Sequence, residues 1–170
     1  KILNIMSEQT KVKSVEKVVV RFSGDSGDGM QLAGNIFSNI SAAIGNEIST
    51  FPDYPAEIRA PQGTLGGVSG FQVHIGNGVY TPGDKADVLV AMNPAALKTN
   101  FKFLKSDGIV IYDTDSFTKK DLEKAAYKTD DPFAEIGAPA TTQIVPVAIS
   151  SLVASALADS GMDNKSIMRC

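Results

Sequence analysis

A short β-branched run, a glycine-rich turn and an amphipathic stretch follow one another without a gap near the start of this chain. Lys17-Val18-Val19-Val20-Arg21-Phe22-Ser23 has the length and branching of a buried strand. Gly24 to Gly29 has the glycine content of a tight turn. Met30 to Ile44 then places Leu32, Ala33, Ile36, Phe37, Ile40 and Ile44 at helical spacing, which marks them as the inward face of a helix, and Gly45-Asn46 supplies the stop. Strand, glycine turn and helix in that order open most parallel α/β folds.

The remainder repeats the alternation. Glu47 to Phe51 reads as a second strand ended by Pro52, and Asp53 to Thr64 as a long loop. Val68 to Ile75 suits a strand, and Asn77-Gly78 is a hairpin signal that pairs Val79-Tyr80 back antiparallel. Asp87 to Met92 is a buried strand, Pro94 to Phe103 a helix with proline near its start, and Gly108 to Tyr112 a further strand. Ser116 to Tyr127 follows as a helix capped by Ser116 or Thr118, Thr142 to Val147 as a last strand, and Ala148 to Asp159 as a small-residue helix. The expected architecture is α/β: a three-layer sandwich with a mostly parallel sheet and one antiparallel excursion. Residues 1–16 read as a leader, 17–160 as the folded domain, and 161–170 as the start of a linker or further element. Met6-Ser7-Glu8 resembles a natural start, with Lys1 to Ile5 upstream of it.

Composition excludes several classes. The chain has 170 residues, 43% hydrophobic and 21% charged, so a packed core is within reach. A net charge of -3 argues against binding nucleic acid, which needs a basic surplus. Cys170 is the sole cysteine, so this chain alone forms neither an internal disulfide nor an iron–sulfur cluster. The longest apolar stretch, Val145 to Ala158, is broken by serines and too short to cross a bilayer. With no signal-peptide pattern, a reducing cytoplasm is the expected location. One histidine and no tryptophan leave little for acid–base catalysis near neutral pH.

The loop Gly24-Asp25-Ser26-Gly27-Asp28-Gly29 admits three readings. As a serine nucleophile it fails: His74 follows the serine where the chymotrypsin order needs it before, and Asp28 stands where a hydrolase elbow needs glycine. As a dinucleotide loop its glycines spell Gly-x-x-Gly-x-Gly, and Asp25 and Asp28 would repel phosphates, although the position after the first strand is right and Asp53 is available to a ribose. As a structural turn, the glycines allow close helix–sheet packing and the Asp side chains cap the helix. A ligand approaching the same loop is compatible with this last reading.

Phe51 to Gly63 concentrates Pro52, Pro55 and Pro61 around Tyr54, Glu57 and Arg59. Arg59 has the fork to hold a carboxylate or phosphate, or else pairs with Glu57 or Asp53 to fasten the loop. His74 reads as a hydrogen-bonded sheet residue; Asp113 and Asp115, just past a strand C-terminus, sit where α/β ligands dock, though helix capping is the simpler role. The helix at 148–158 carries almost no charge, so it is buried within the domain or covered by a partner subunit.

The runs Phe22 to Met30 and Phe51 to Pro61 strongly resemble the gamma domain of 2-oxoacid:ferredoxin oxidoreductases, most of all the N-terminal part of the alpha subunit in the 2-oxoglutarate members. Gly66 to His74, Thr81-Pro82-Gly83-Asp84 and Asp87 to Leu97 continue the match, which covers Lys17 to the C-terminus. The resemblance implies oxidative decarboxylation of a 2-oxoacid in a larger complex. Coenzyme A accepts the acyl group and ferredoxin the electrons. Thiamine diphosphate, Mg2+ and iron–sulfur clusters belong to other domains and to the beta subunit. This chain would then carry no catalytic residue and no metal ligand and be inactive alone. Gly24, Asp25, Ser26, Gly27, Asp28, Gly29 and Arg59 would face coenzyme A or a domain interface, and the helix at 148–158 would offer a homodimer contact. A free-standing nucleotide-binding module is the alternative.

Overall fold

A computed structural model describes residues 14–56 and 60–157. Strand β1 (Lys17–Asp25) leads into helix α1 (Met30–Ala43) and strand β2 (Glu47–Asp53). Strands β3 (Val68–Gly76) and β4 (Ala86–Ala91), helix α2 (Pro94–Asn100) and strand β5 (Leu104–Asp113) follow. Helices α3 (Lys119–Lys124) and α4 (Pro132–Glu135), strand β6 (Gln143–Val147) and helix α5 (Ile149–Leu157) complete the order. The sheet runs β2-β3-β1-β4-β5-β6. Pairs β1–β4, β4–β5 and β5–β6 are parallel, while β3 is antiparallel to both β1 and β2. The α/β sandwich with a mostly parallel sheet is therefore as expected, and the antiparallel excursion is β3.

Two local expectations are corrected. Val79 and Tyr80 form no strand, because both edges of β3 are already occupied: Gly76 pairs with Lys17 on one side and Glu47 on the other. β2 does not stop at Pro52 but runs to Asp53, with Pro52 opposite Phe71. As an edge strand it tolerates a residue that lacks an N–H. The leader expected over 1–16 falls, except for residues 14–16, outside the described residues, as does the element expected over 161–170.

Helix α2 lies on one face of the sheet. Asn93 caps it through Ala96 N–H at 2.8 Å, with Pro94 in the first turn. Ala95, Ala96 and Leu97 are fully buried against Val19, Leu89, Val110, Val68 and Leu122. Tyr112 extends this layer edge-to-face onto Phe117 and Phe133, with centroids 4.8 and 5.3 Å apart. The charged residues of this layer pair at its rim, where Lys98 meets Glu135 at 3.2 Å and lies 4.3 Å from the Tyr127 ring centre.

Helix α1 covers the other face over Phe71, Val73 and Ile75. Its buried residues are Met30, Gly34, Ser38 and Ser41. Leu32, Ile36, Ile40 and Ile44, expected to face inward, are 64%, 49%, 59% and 76% exposed. The cause is Phe71: a Cβ at position 34 would lie 2.2 Å from its ring, so the side of the helix carrying Gly34, Ser38 and Ser41 faces the sheet, and of the apolar set Phe37 still packs inward, edge-to-face on Phe22. In β5, Val110 and Tyr112 point toward α2, so alternation turns Asp113 to the α1 side. There its carboxylate accepts from Ile149 N–H, Ser150 N–H and Ser150 Oγ, fixing the start of α5. Asp113 caps the turn that follows it, accepting from Asp115 N–H at 3.3 Å, whereas Asp115 receives Ser151 N–H at 2.7 Å and so serves α5 and not the helix next in the chain. No residue of α5 is buried, which removes the expectation that the domain itself covers it.

Candidate functional site

The chain leaves β1 for one face of the sheet and β4 for the other, so the carboxyl ends of these neighbouring strands border the crevice where open α/β sheets take ligands. Gly24 to Gly29 and Met92-Asn93 line it. Backbone pairing continues across the crevice mouth through Met92 N–H to the Ser23 carbonyl at 2.9 Å.

The carboxylates of the glycine loop are spent on the loop itself. Asp28 Oδ2 accepts from Asp25 N–H at 2.7 Å and, at 3.5 Å, from Asn93 Nδ2. Asp25 Oδ2 accepts from Gly63 N–H at 2.7 Å, tying this turn to the proline-rich loop. Neither Asp caps α1, contrary to the sequence reading. The cap position is Gly29 at φ 71°, in the left-handed region that favours glycine, with no side-chain hydrogen bond and no acid in the first turn. Ser26 and Gly27 form the exposed tip. Burial raises both carboxyl groups above the usual Asp range. Gly63 N–H, Asn93 and Lys124 oppose the rise at Asp25. At Asp28 the neighbouring charges of Asp25 and Asp113 add to it, while Asp25 N–H and Asn93 oppose it. Asp25 Oδ1 is buried without a partner. The arrangement is an inward-turned acid pair beneath an exposed Ser-Gly tip and a helix N-terminus that lacks a side-chain cap, an arrangement able to meet an anion from above.

Sequence reasoning missed Arg21, which is 3% exposed on β1. Its guanidinium donates to Asn100 Oδ1 at 2.7 Å and Gln72 Oε1 at 3.2 Å, pairs with Asp53 at the end of β2, and stacks 4.5 Å from the Phe103 ring centre. Asn100 passes the network on to Ser23 Oγ, and Gln72 to the Pro82 and Gly83 carbonyls. The available signal was a lone arginine inside a buried apolar run, which must find polar partners. Asp53, considered for a ribose or for Arg59, is thus engaged by Arg21. Arg59 itself, with Glu57 and Ile58, lies outside the described residues. His74 holds the Thr81 carbonyl through Nδ1 at 2.6 Å, the sheet role expected of it.

Among the described residues no three His, Cys, Asp or Glu side chains stand together as a metal site. The described residues include no cysteine, so they offer no thiolate to an iron–sulfur cluster. No helix among them is long and apolar enough to cross a membrane.

The family described as pyruvate ferredoxin/flavodoxin oxidoreductase matches residues 19–167. Subunit KorA of the 2-oxoglutarate oxidoreductase of Mycobacterium tuberculosis is 49% identical over 152 residues, 89% of this chain and 23% of that protein. The common subunit gamma of the pyruvate/ketoisovalerate oxidoreductases of Pyrococcus abyssi is 32% identical over 65% of this chain and 60% of its own length. The chain thus spans 23% of the first of these relatives and 60% of the second. In fold it is similar to the 2-oxoglutarate:ferredoxin oxidoreductase of Magnetococcus marinus, solved with 2-oxoglutarate, coenzyme A and succinyl-CoA bound. That likeness has a TM-score of 0.62 at 24% identity and covers 85% of this chain and 22% of that one. These relations favour the oxidoreductase reading over a free-standing nucleotide module, and the chain belongs to the pyruvate ferredoxin/flavodoxin oxidoreductase family.

Proposed function

We propose that this chain is a non-catalytic domain of a KorA-type 2-oxoglutarate:ferredoxin oxidoreductase and that its Gly24–Gly29 loop faces coenzyme A. In this reading it is the gamma-type domain, spanning 17–160, of an alpha subunit. Its partners are a beta subunit and, through the complex, ferredoxin, all in the cytoplasm. Thiamine diphosphate, Mg2+ and iron–sulfur clusters belong to the other parts. The exposed, uncharged α5 supports a homodimer contact through 148–158. Arg59 is assigned to coenzyme A or to the domain interface with the loop.

The observation that carries the proposal is the inward turn of Asp25 and Asp28. It turns the two carboxylates away from a phosphate at the tip and leaves Ser26, Gly27 and the α1 N-terminus open at the strand switch point. The test is the assembled full-length enzyme, assayed by viologen reduction with 2-oxoglutarate. Gly27→Asp places a carboxylate at the loop tip, where no neighbour obstructs a side chain. It should raise KM for coenzyme A about tenfold or more while KM for 2-oxoglutarate stays unchanged. An unchanged coenzyme A KM removes the loop from the reading, and no activity with any 2-oxoacid removes the whole.

A further inference from the structure

We infer that the outer face of α1 is a docking ridge for an uncharged apolar helix in the chemistry-bearing remainder of a KorA-type oxidoreductase. Leu32, Ile36, Ile40 and Ile44 follow one another at four-residue intervals along about 18 Å of helix, and each is exposed. That spacing forms the i±4n ridge which interdigitates with the equivalent ridge of a second helix, the commonest packing class in globular proteins. α1 contains no charged residue, and Asn35 and Asn39 are exposed polar residues beside the ridge. Such a face is disfavoured in solvent and suits neither a nucleic acid nor a charged partner.

The occupant follows from where the ridge begins. Gly29 ends the glycine loop and is also the cap position of α1, so Leu32 lies one turn from the loop proposed to face coenzyme A. On that functional reading this chain carries no catalytic residue, so an acyl acceptor held here must meet chemistry supplied by a neighbour. The neighbour has to close on this end of the domain. The KorA relative gives such a neighbour its size, since the region matching this chain is 23% of that protein. α5, by contrast, starts beside Asp113 on β5, with β4 between that strand and the strands under α1, and remains available for a second copy.

The full-length subunit, co-expressed with its partner subunit, is the material for the test. A photo-activatable benzophenone amino acid replaces Ile40 or, separately, Lys120 on α3, and cross-linked peptides are identified by mass spectrometry. Position 40 should capture a helical apolar segment outside residues 1–170, and position 120 should not. Capture of residues 1–170 of a second copy, or no capture at position 40, overturns the inference. In parallel, Ile36→Glu/Ile40→Glu should cut the assembled fraction about tenfold or more in native mass spectrometry, while Lys120→Glu leaves it unchanged. Wild-type assembly of the double variant also overturns it. Should the double variant fail to fold by circular dichroism, the neutral pair Ile36→Ser/Ile40→Ser replaces it. The cross-link does not depend on turnover. Capture by an enzyme inactive with 2-oxoglutarate therefore removes the functional reading and keeps the ridge, whereas an active enzyme without capture removes the ridge alone.

Discussion

The two helical layers of this domain differ in what they leave at the surface. On one side α2 and α3 place alanines and leucines in the core and turn Lys98, Lys120 and Glu123 outward, as a solvated layer should. On the other, α1 and α5 contain no charged residue, bury little beyond Met30 and small side chains, and expose Leu32, Ile36, Ile40 and Leu152. Both kinds of helix show apolar periodicity. What separates them is the opposite side of the helix: charged in the first pair, small in the second. An apolar stripe backed by charges points to the domain's own core, and one backed by Gly and Ser points to a core completed by something else.

The contrast breaks most easily in the α2 layer. Leu97→Ala should destabilise the chain by about 3 kcal/mol, measured by urea unfolding, because Leu97 is fully buried between sheet and helix. An effect under about 1 kcal/mol would mean that this layer is not the core. Gly34→Ala comes next, at about 2 kcal/mol of net destabilisation, even though alanine favours a helix by about 1 kcal/mol over glycine. A stabilised variant would show that α1 does not ride on Phe71 at the described distance.

The loop joining the two sides supplies a pH test of smaller size. Burial, aided by the charges of Asp25 and Asp113, raises Asp28 above its ordinary value of 3.8, so the folded state keeps a proton that the unfolded chain releases. Stability from this group is present below the ordinary value and is lost as pH rises through the raised one. Asp28→Asn retains an oxygen for Asp25 N–H and should flatten the fall in urea midpoint as pH rises above about 4. A wild-type slope in the variant would assign the dependence elsewhere. Smallest of all, Ile40→Ser should change the stability of this chain by less than about 0.5 kcal/mol, in contrast to its effect on assembly. A loss near that of Leu97→Ala would place Ile40 in the core after all.

Much of the fold was readable because its signals are local. β1, the glycine turn, α1, the buried β4 and the Pro94 start of α2 each rest on branching, turn chemistry or a cap within a few residues. What escaped depends on partners distant in the chain. Asn77-Gly78 is a sound turn signal, but whether Val79-Tyr80 pairs depends on β1 and β2 having already filled both edges of β3. The face of α1 was misassigned because the deciding residue, Phe71, lies on a strand two elements later. In the candidate site the position of the glycine loop was apparent. The inward turn of its carboxylates was not, since it needs Gly63 and Asn93, and neither was the Arg21–Asp53 pair, whose members are 32 residues apart. The proline-rich loop was recognised by composition, yet Arg59 at its centre lies outside the described residues.

The near-contact of Gly34 with Phe71 gives α1 a single azimuth. Rolling the helix by one residue, about 100°, to tuck its aliphatic stripe under the domain would bring a longer side chain into the place of Gly34 and onto the aromatic ring. The domain is therefore locked with its greasy side outward, like a key cut on one edge, and cannot hide that side by a local adjustment while it waits for what it fits.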